Sequence, residues 1–182
     1  MNNQGTSTER ESGMLTGMFT DKDSSESAYK SLRDRGYTDD EINVMMSDET
    51  RDKYYGDGKD GDSELGSKAA EGTGIGGAIG GTLGAVIAGI AALGTNIFLP
   101  GLGLIVWGPL AAALAGAGAG GLTGGLVGAL IGAGIPEDRA KSYEEGIKSG
   151  GTVLGVKPKS NEDADYFEND WTTNHRGQNV YR

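Results

Sequence analysis

A stretch without a single charged side chain or histidine runs from Gly72 to Pro136, and it constrains the fold more than any other feature of the chain. Every Asp, Glu, Lys, Arg and His of the 182 residues lies in the two flanks on either side of it. A run of about 20 apolar residues in a helix spans the hydrocarbon core of a bilayer. The stretch therefore predicts a membrane segment or an equally dry protein interface.

Glycine recurs at every fourth position in two parts of this stretch. The two series are Gly72, Gly76, Gly80 and Gly84, and then Gly116, Gly120, Gly124, Gly128 and Gly132. Four residues turn a helix by about 400°, so each series forms one gently wrapping groove. An interior glycine costs a helix in water roughly 0.8–1.0 kcal/mol relative to alanine, whereas small residues let helices pack closely in lipid. We therefore predict a glycine-zipper hairpin of two helices over residues 72–135, with these glycines as its packing face.

The lengths of the two predicted helices suit a bilayer. Residues 72–93 would span about 33 Å and residues 110–134 about 37 Å, against a hydrocarbon core of about 30 Å. The connector at residues 94–109 contains two prolines and is expected to turn at or across the far face. Trp107 either marks a membrane interface or has no special role in the turn. Because Lys and Arg flank both helices but are absent from the connector, both termini are predicted to be cytoplasmic, at the inner membrane.

The first flank predicts a strand, a helix and a second strand within residues 13–47. The expected bounds are residues 13–20, residues 21–35 and Ile42–Met46. Asp23 or Ser24 is suited to cap the helix, and Gly36 to end it. Residues 1–12 are predicted to be disordered, and residues 48–71 to form a charged linker.

The second flank predicts a continuation of the same small α/β domain in residues 136–171. The expected elements are a helix over residues 136–148, a strand at Thr152–Val156 and a short helix over residues 161–171. We predict an α+β fold of the ferredoxin-like type, either complete or lacking an element, which is interrupted by the zipper hairpin. The strand of the first flank at Ile42–Met46 is expected beside Thr152–Val156, in parallel because a helix intervenes. Residues 172–182 are predicted to be a disordered tail.

No set of residues indicates catalysis, a cofactor or a metal site. The chain has no cysteine, and its one histidine, His175, is expected to be solvated in the tail, which removes triads and histidine-based zinc sites. The acidic run from Asp60 to Glu64 departs from a calcium loop because Leu65 stands where glycine is required. Residues 72–77 match the dinucleotide fingerprint, but they follow a charged linker and lack the later acidic residue. A net charge of −10 argues against nucleic-acid binding, and no small-molecule substrate is evident.

Six short motifs between residues 13 and 158 carry a family resemblance. They are Gly17-Met-Phe-Thr-Asp21, Phe98-Leu-Pro-Gly-Leu-Gly103, Gly108-Pro-Leu-Ala-Ala112, Gly134-Ile-Pro-Glu-Asp138, Tyr143-Glu-Glu-Gly146 and Gly150-Gly-Thr-Val153. Their order resembles the bacterial YflT-like general stress proteins, which share the general stress protein 17M-like domain. The resemblance implies a stress-induced bacterial protein with no catalytic residues. Family members usually continue into a longer helix after the third strand, and here the polar tail departs from that pattern.

These patterns together predict a non-enzymatic stress-response protein. We expect it to be membrane-associated through the zipper hairpin, which inserts into lipid or self-associates. The alternative is a soluble cytoplasmic protein that oligomerises through the zipper as a scaffold. A third class, an enzyme or ligand-binding module in the α/β part, is opposed because its scattered acidic residues are expected to be solvated.

Overall fold

The computed structural model describes residues 13–55, 65, 103–111, 114, 125–132 and 134–182, and the backbone of residues 96–99. The predicted disorder at residues 1–12, the predicted first zipper helix and seven zipper glycines, from Gly72 to Gly124, lie outside the described residues.

Six strands form one antiparallel sheet in the described part of the chain, in the order β3-β4-β2-β5-β1-β6. They are β1 (Leu15–Phe19), β2 (Ile42–Ser47), β3 (Asn96–Leu99), β4 (Leu104–Trp107), β5 (Thr152–Val156) and β6 (Gln178–Tyr181). All residues of β1, β4 and β5 are buried, as are those of β2 except its last. Strands buried along their whole length need packing on both faces of the sheet.

Helices cover both faces of this sheet. The described helices are α1 (Lys22–Asp34), α2 (Asp48–Tyr55), α3 (Gly125–Gly132), α4 (Glu137–Lys148) and α5 (Asn161–Thr173). Buried residues of α1, α2 and α5 pack with one set of strand side chains, such as Phe19 and Leu154. Buried residues of α3 and α4 pack with the alternate set, such as Met45 and Val153. The result is a three-layer arrangement with two apolar cores.

The predicted α+β class is confirmed, but the ferredoxin-like type is not. Strands β1 and β2 are joined by α1 and are separated in the sheet by β5, which is antiparallel to both. The predicted neighbours β2 and β5 are therefore adjacent, while the predicted parallel orientation is wrong. Strands from both flanks lie side by side, and β4 and β3 of the uncharged stretch extend the sheet at one edge.

The N-cap of α1 differs from the prediction, because several neighbouring polar side chains could cap this helix. Helix α1 begins one residue after its N-cap Asp21, whose carboxylate accepts a 2.9 Å hydrogen bond from the Ser24 N–H. Neither Asp23 nor Ser24 is the cap, because both already lie inside the helix. Gly36 follows the helix with φ +85°, the left-handed conformation that ends helices at low cost in glycine.

Three segments predicted to lack regular structure contain it. The first third of the expected linker at residues 48–71 forms α2, which buries Thr50 and Tyr55. The expected tail at residues 172–182 contains the end of α5 and strand β6, which pairs with β1. The predicted connector at residues 94–109 forms the hairpin of β3 and β4, and β4 pairs with β2. The connector is therefore part of the sheet and does not lie at a distance from the flanks.

Candidate functional site

The uncharged stretch is attached to the sheet through the side chain of Asn43. This residue of β2 is 5% exposed, and its Oδ1 accepts a 2.6 Å hydrogen bond from the Leu110 N–H. Its Nδ2 donates to the Gly155 carbonyl at 3.1 Å. Asn43 thus satisfies a backbone donor in the first turn of the helical segment that begins at Pro109. A polar side chain buried this deeply is stable because both of its ends are paired.

Gly108 makes the close approach to β2 possible. Its φ of +85° is unfavourable for other residues, and a Cβ there would overlap the Ile42 carbonyl oxygen. The motif that begins at Gly108 therefore has a structural cause, since only glycine fits between β4 and the helical segment.

Leucine side chains hold this apolar layer on the second face of the sheet. Leu110 and Leu114 precede the residues that are not described, Leu126 and Leu130 lie in α3, and all four are at most 5% exposed. They belong to one core cluster with Val106. Full burial of a leucine side chain contributes about 1.5–3 kcal/mol, so these contacts attach both ends of the segment firmly to the sheet.

A single continuous helix over residues 110–134 is contradicted at Gly125. This residue has φ +64°, which a right-handed helix does not accommodate, so α3 is separate from the helical turn at Pro109. Gly134 has φ +89° and ends α3 before α4 begins. The predicted second zipper helix is therefore at least two segments.

Two zipper glycines, Gly128 and Gly132, lie within α3. Gly128 is half-buried and Gly132 is exposed, whereas Leu126 and Leu130 face the sheet. Each glycine follows a buried leucine by two residues, a rotation of about 200° around the helix. The glycines therefore lie on the outer side of α3 together with Ile131, which is 43% exposed. Their predicted role in helix packing stays a prediction.

Trp107 is buried within β4, so it lies neither in a turn nor at an exposed surface, in contrast to both alternatives considered for it. Only 4% of its surface is exposed, and it packs in the core under α1 and α2. Its indole Nε1 has no hydrogen-bond partner in the described part of the chain.

Helix α4 contains the family-like motif Tyr143-Glu-Glu-Gly146, and packing accounts for it. Burial raises the pKa of Tyr143 to about 12, and its hydroxyl lies 2.6 Å from Thr16 Oγ1. A Cβ at Gly146 would overlap Met18 Sδ, so this glycine lets α4 lie directly on β1. Gly150 has φ +91° in the following turn. These residues have structural roles and form no reactive group.

His175 is ordered, in contrast to the predicted solvated histidine. Its Nε2 lies 3.1 Å from Asp170 Oδ2, and the two side chains are 16% and 9% exposed. Asn174 donates a 2.8 Å hydrogen bond to the other carboxylate oxygen, Oδ1. This cluster fixes the turn between α5 and β6. No group of three His, Asp or Glu side chains in the described residues is placed to hold a metal ion.

A polar network joins the loop before β2 to the first turn of α5, and no pattern in the sequence predicts it. The Asp163 carboxylate accepts hydrogen bonds from Arg35 Nε at 2.6 Å and from the Tyr37 hydroxyl at 2.8 Å. These bonds, that of Arg35 first, lower the pKa of Asp163. Burial raises the pKa of Tyr37 to about 12. Residues 126 positions apart are thereby held together at one end of the sheet.

Charge is divided unevenly among the described helices and strands. Helix α5 carries five acidic residues and no basic residue, whereas β3, β4 and α3 carry no charge at all. The uncharged elements lie at the β3 edge of the sheet and on its second face, where α3 packs beside the charged helix α4, and α5 packs near β1 and β6. None of the described helices has both the length and the apolar character needed to cross a membrane.

Comparisons with known proteins identify no similar protein. No protein-family model, curated protein or solved structure matches the chain. The resemblance to the YflT-like general stress proteins therefore stays a prediction.

Proposed function

We propose that this protein is a non-enzymatic bacterial stress-response protein that associates with the inner membrane through its uncharged, glycine-rich stretch. The observation that carries this proposal is the separation of charge. The described elements of the stretch, β3, β4 and α3, have no charged side chain, and they lie at one edge of the sheet and, beside the charged helix α4, on its second face. Transfer of a charged residue to the bilayer centre costs about 2.5–3.5 kcal/mol on insertion scales, so an uncharged surface is the one suited to lipid.

The strand pairing favours one arrangement of such an association. Because β4 pairs with β2, we propose that the connector stays on the same side of the membrane as the folded domain. The described residues nearest to the remaining parts of the stretch are Leu65 and Asn96 on either side of the first, and Leu114 and Gly125 on either side of the second. The stretch is then proposed to enter lipid from one side and return, with both termini in the cytoplasm.

Membrane fractionation of the full chain with an alkaline carbonate wash tests this proposal. Wild-type protein is expected in the washed pellet. Ile131→Asp places a charge on the outer side of α3, where the side chain is 43% exposed, and is expected to shift the protein towards the supernatant. Tyr166→Asp is the matched control, because this side chain is 42% exposed on the acidic helix α5. Wild-type protein in the supernatant, or equal behaviour of the two variants, would contradict the proposal.

Self-association is a second candidate, and the outer side of α3 favours it. Gly128 and Gly132 are one helical turn apart on that side, which allows the backbone of another helix to approach closely. In sedimentation velocity, Gly132→Ala is expected to preserve an oligomer and Gly132→Leu to dissociate it, because the exposed position itself tolerates a side chain. A monomeric wild type, or an oligomer unchanged by leucine, would contradict this candidate.

A further inference from the structure

A cleft of about 590 Å³ opens at the end of the sheet where β2 begins and β4 and β5 end. Volumes of this size are typical of small-molecule sites. Its lining includes residues from four separate parts of the chain, among them Met14, Asn43, Leu110 and Lys157. The polar network of Tyr37 and Asp163 lies beside it and fixes the loops that form one wall.

The inner part of the cleft is mainly apolar and contains one buried amide. Leu110 and Pro158 are buried, and Met14 is half-buried. The amide is that of Asn43, whose Nδ2 donates one hydrogen to Gly155 and has only the Met14 sulfur, at 3.6 Å, near the other. A thioether is a weak acceptor, so this second hydrogen is available to a better acceptor in the cleft.

Two charges of opposite sign at the exposed part of the cleft are not engaged. Lys159 is held by Glu41 at 3.0 Å and by the Gly36 carbonyl at 2.9 Å. In contrast, Lys157 and Asp40 line the cleft without a hydrogen-bond or ion-pair partner among the described residues. The cleft thus offers a cation, an anion, an amide donor and an apolar surface.

We propose that this cleft binds a small zwitterion with an apolar group, of the class of free apolar amino acids. The ligand carboxylate binds the Lys157 ammonium and the second amide hydrogen of Asn43. The ligand ammonium binds the Asp40 carboxylate, and its side chain packs against Leu110 and Met14. Charge-assisted hydrogen bonds of this kind are stronger than neutral ones, and both charges of the ligand are needed for full affinity.

Titration calorimetry of the full chain with three related probes tests the proposal. Leucine carries both charges, 4-methylpentanoate lacks the ammonium, and 3-methylbutylamine lacks the carboxylate. Leucine is expected to bind at least about tenfold more tightly than either analogue, which corresponds to about 1.4 kcal/mol. Phenylalanine and valine serve as further probes for the size of the apolar group. Absence of heat for all three amino acids at millimolar concentration overturns the proposal.

Two substitutions assign each charge of the ligand to its partner. Lys157→Gln is expected to weaken leucine and 4-methylpentanoate about tenfold and to leave 3-methylbutylamine unchanged. Asp40→Asn is expected to weaken leucine and 3-methylbutylamine about tenfold and to leave 4-methylpentanoate unchanged. Lys148→Gln and Asp138→Asn are matched controls on the exposed side of α4, and both should bind like wild type. Equal weakening of every probe by either cleft variant, or no effect of both, overturns the assignment.

Discussion

Replacement of Asn43 by alanine is expected to lower the free energy of unfolding by about 1–3 kcal/mol. The substitution removes the acceptor of the buried Leu110 N–H, and a buried donor left without a partner costs about that much. This loss is large because a folded domain is stabilised by only about 5–15 kcal/mol.

Urea unfolding followed by circular dichroism measures this change. The midpoint of Asn43→Ala should fall with little change of slope, because the same surface is exposed on unfolding. Asn169→Ala is the matched control, since Asn169 is exposed on α5, and it should lie within about 0.5 kcal/mol of wild type. An unchanged midpoint for Asn43→Ala would refute the view that this side chain attaches the apolar layer to the sheet.

Three further predictions follow from the packing and the shifted pKa values. Gly146→Ala should destabilise the protein by about 1–3 kcal/mol in the same urea assay, because the added Cβ overlaps Met18 Sδ. The pKa of Asp163 is lowered in the folded state, chiefly by Arg35, so its stabilisation is present above the unfolded value of about 4 and is lost as the pH falls through the folded pKa. Asp163→Asn should therefore make unfolding in acid less dependent on pH. The pKa of Tyr143 is raised to about 12, so its stabilisation is present below the unfolded value of about 10 and is lost as the pH rises through 12, and Tyr143→Phe should make alkaline unfolding shallower.

The flanking elements were predictable because their two sides differ in polarity. Ala28, Tyr29 and Leu32 recur at helical spacing in α1 and are all buried, and Gly36 ends the helix as expected. The bounds of β5 agree with the prediction because glycines precede a short apolar run.

The strands β3 and β4 were missed because the uncharged stretch offers no contrast between faces. Residues 104–107 are buried on both sides of the sheet, and a run without polar alternation does not distinguish a strand from a turn or a helix. Helix α2 and strand β6 were missed because they are mostly polar and bury few of their residues, so they show no apolar periodicity. The antiparallel order also depends on contacts between distant segments, which local patterns do not encode.

Asn43 and the cleft around it were not predictable from the sequence. An asparagine between apolar neighbours in a strand is typical of a solvent-facing position. Its partners Leu110 and Gly155 lie 67 and 112 residues away, and only the folded sheet brings them together. The zipper glycines, in contrast, were evident from their spacing, although the break at Gly125 was not.

Cysteine accessibility at Gly103 tests most directly whether the uncharged connector stays with the folded domain while the stretch around it associates with the membrane. The chain has no native cysteine. A side chain at this exposed turn meets no atom within 4 Å, and the φ of +60° makes the substitution cost about 1–2 kcal/mol, so the fold of Gly103→Cys is first checked by circular dichroism. In intact cells an impermeant maleimide should label neither Gly103→Cys nor the control Lys148→Cys on α4, and after lysis it should label both, with the protein in the membrane fraction. Labelling of Gly103→Cys alone in intact cells would show that the connector crosses the membrane, which the pairing of β4 with β2 forbids.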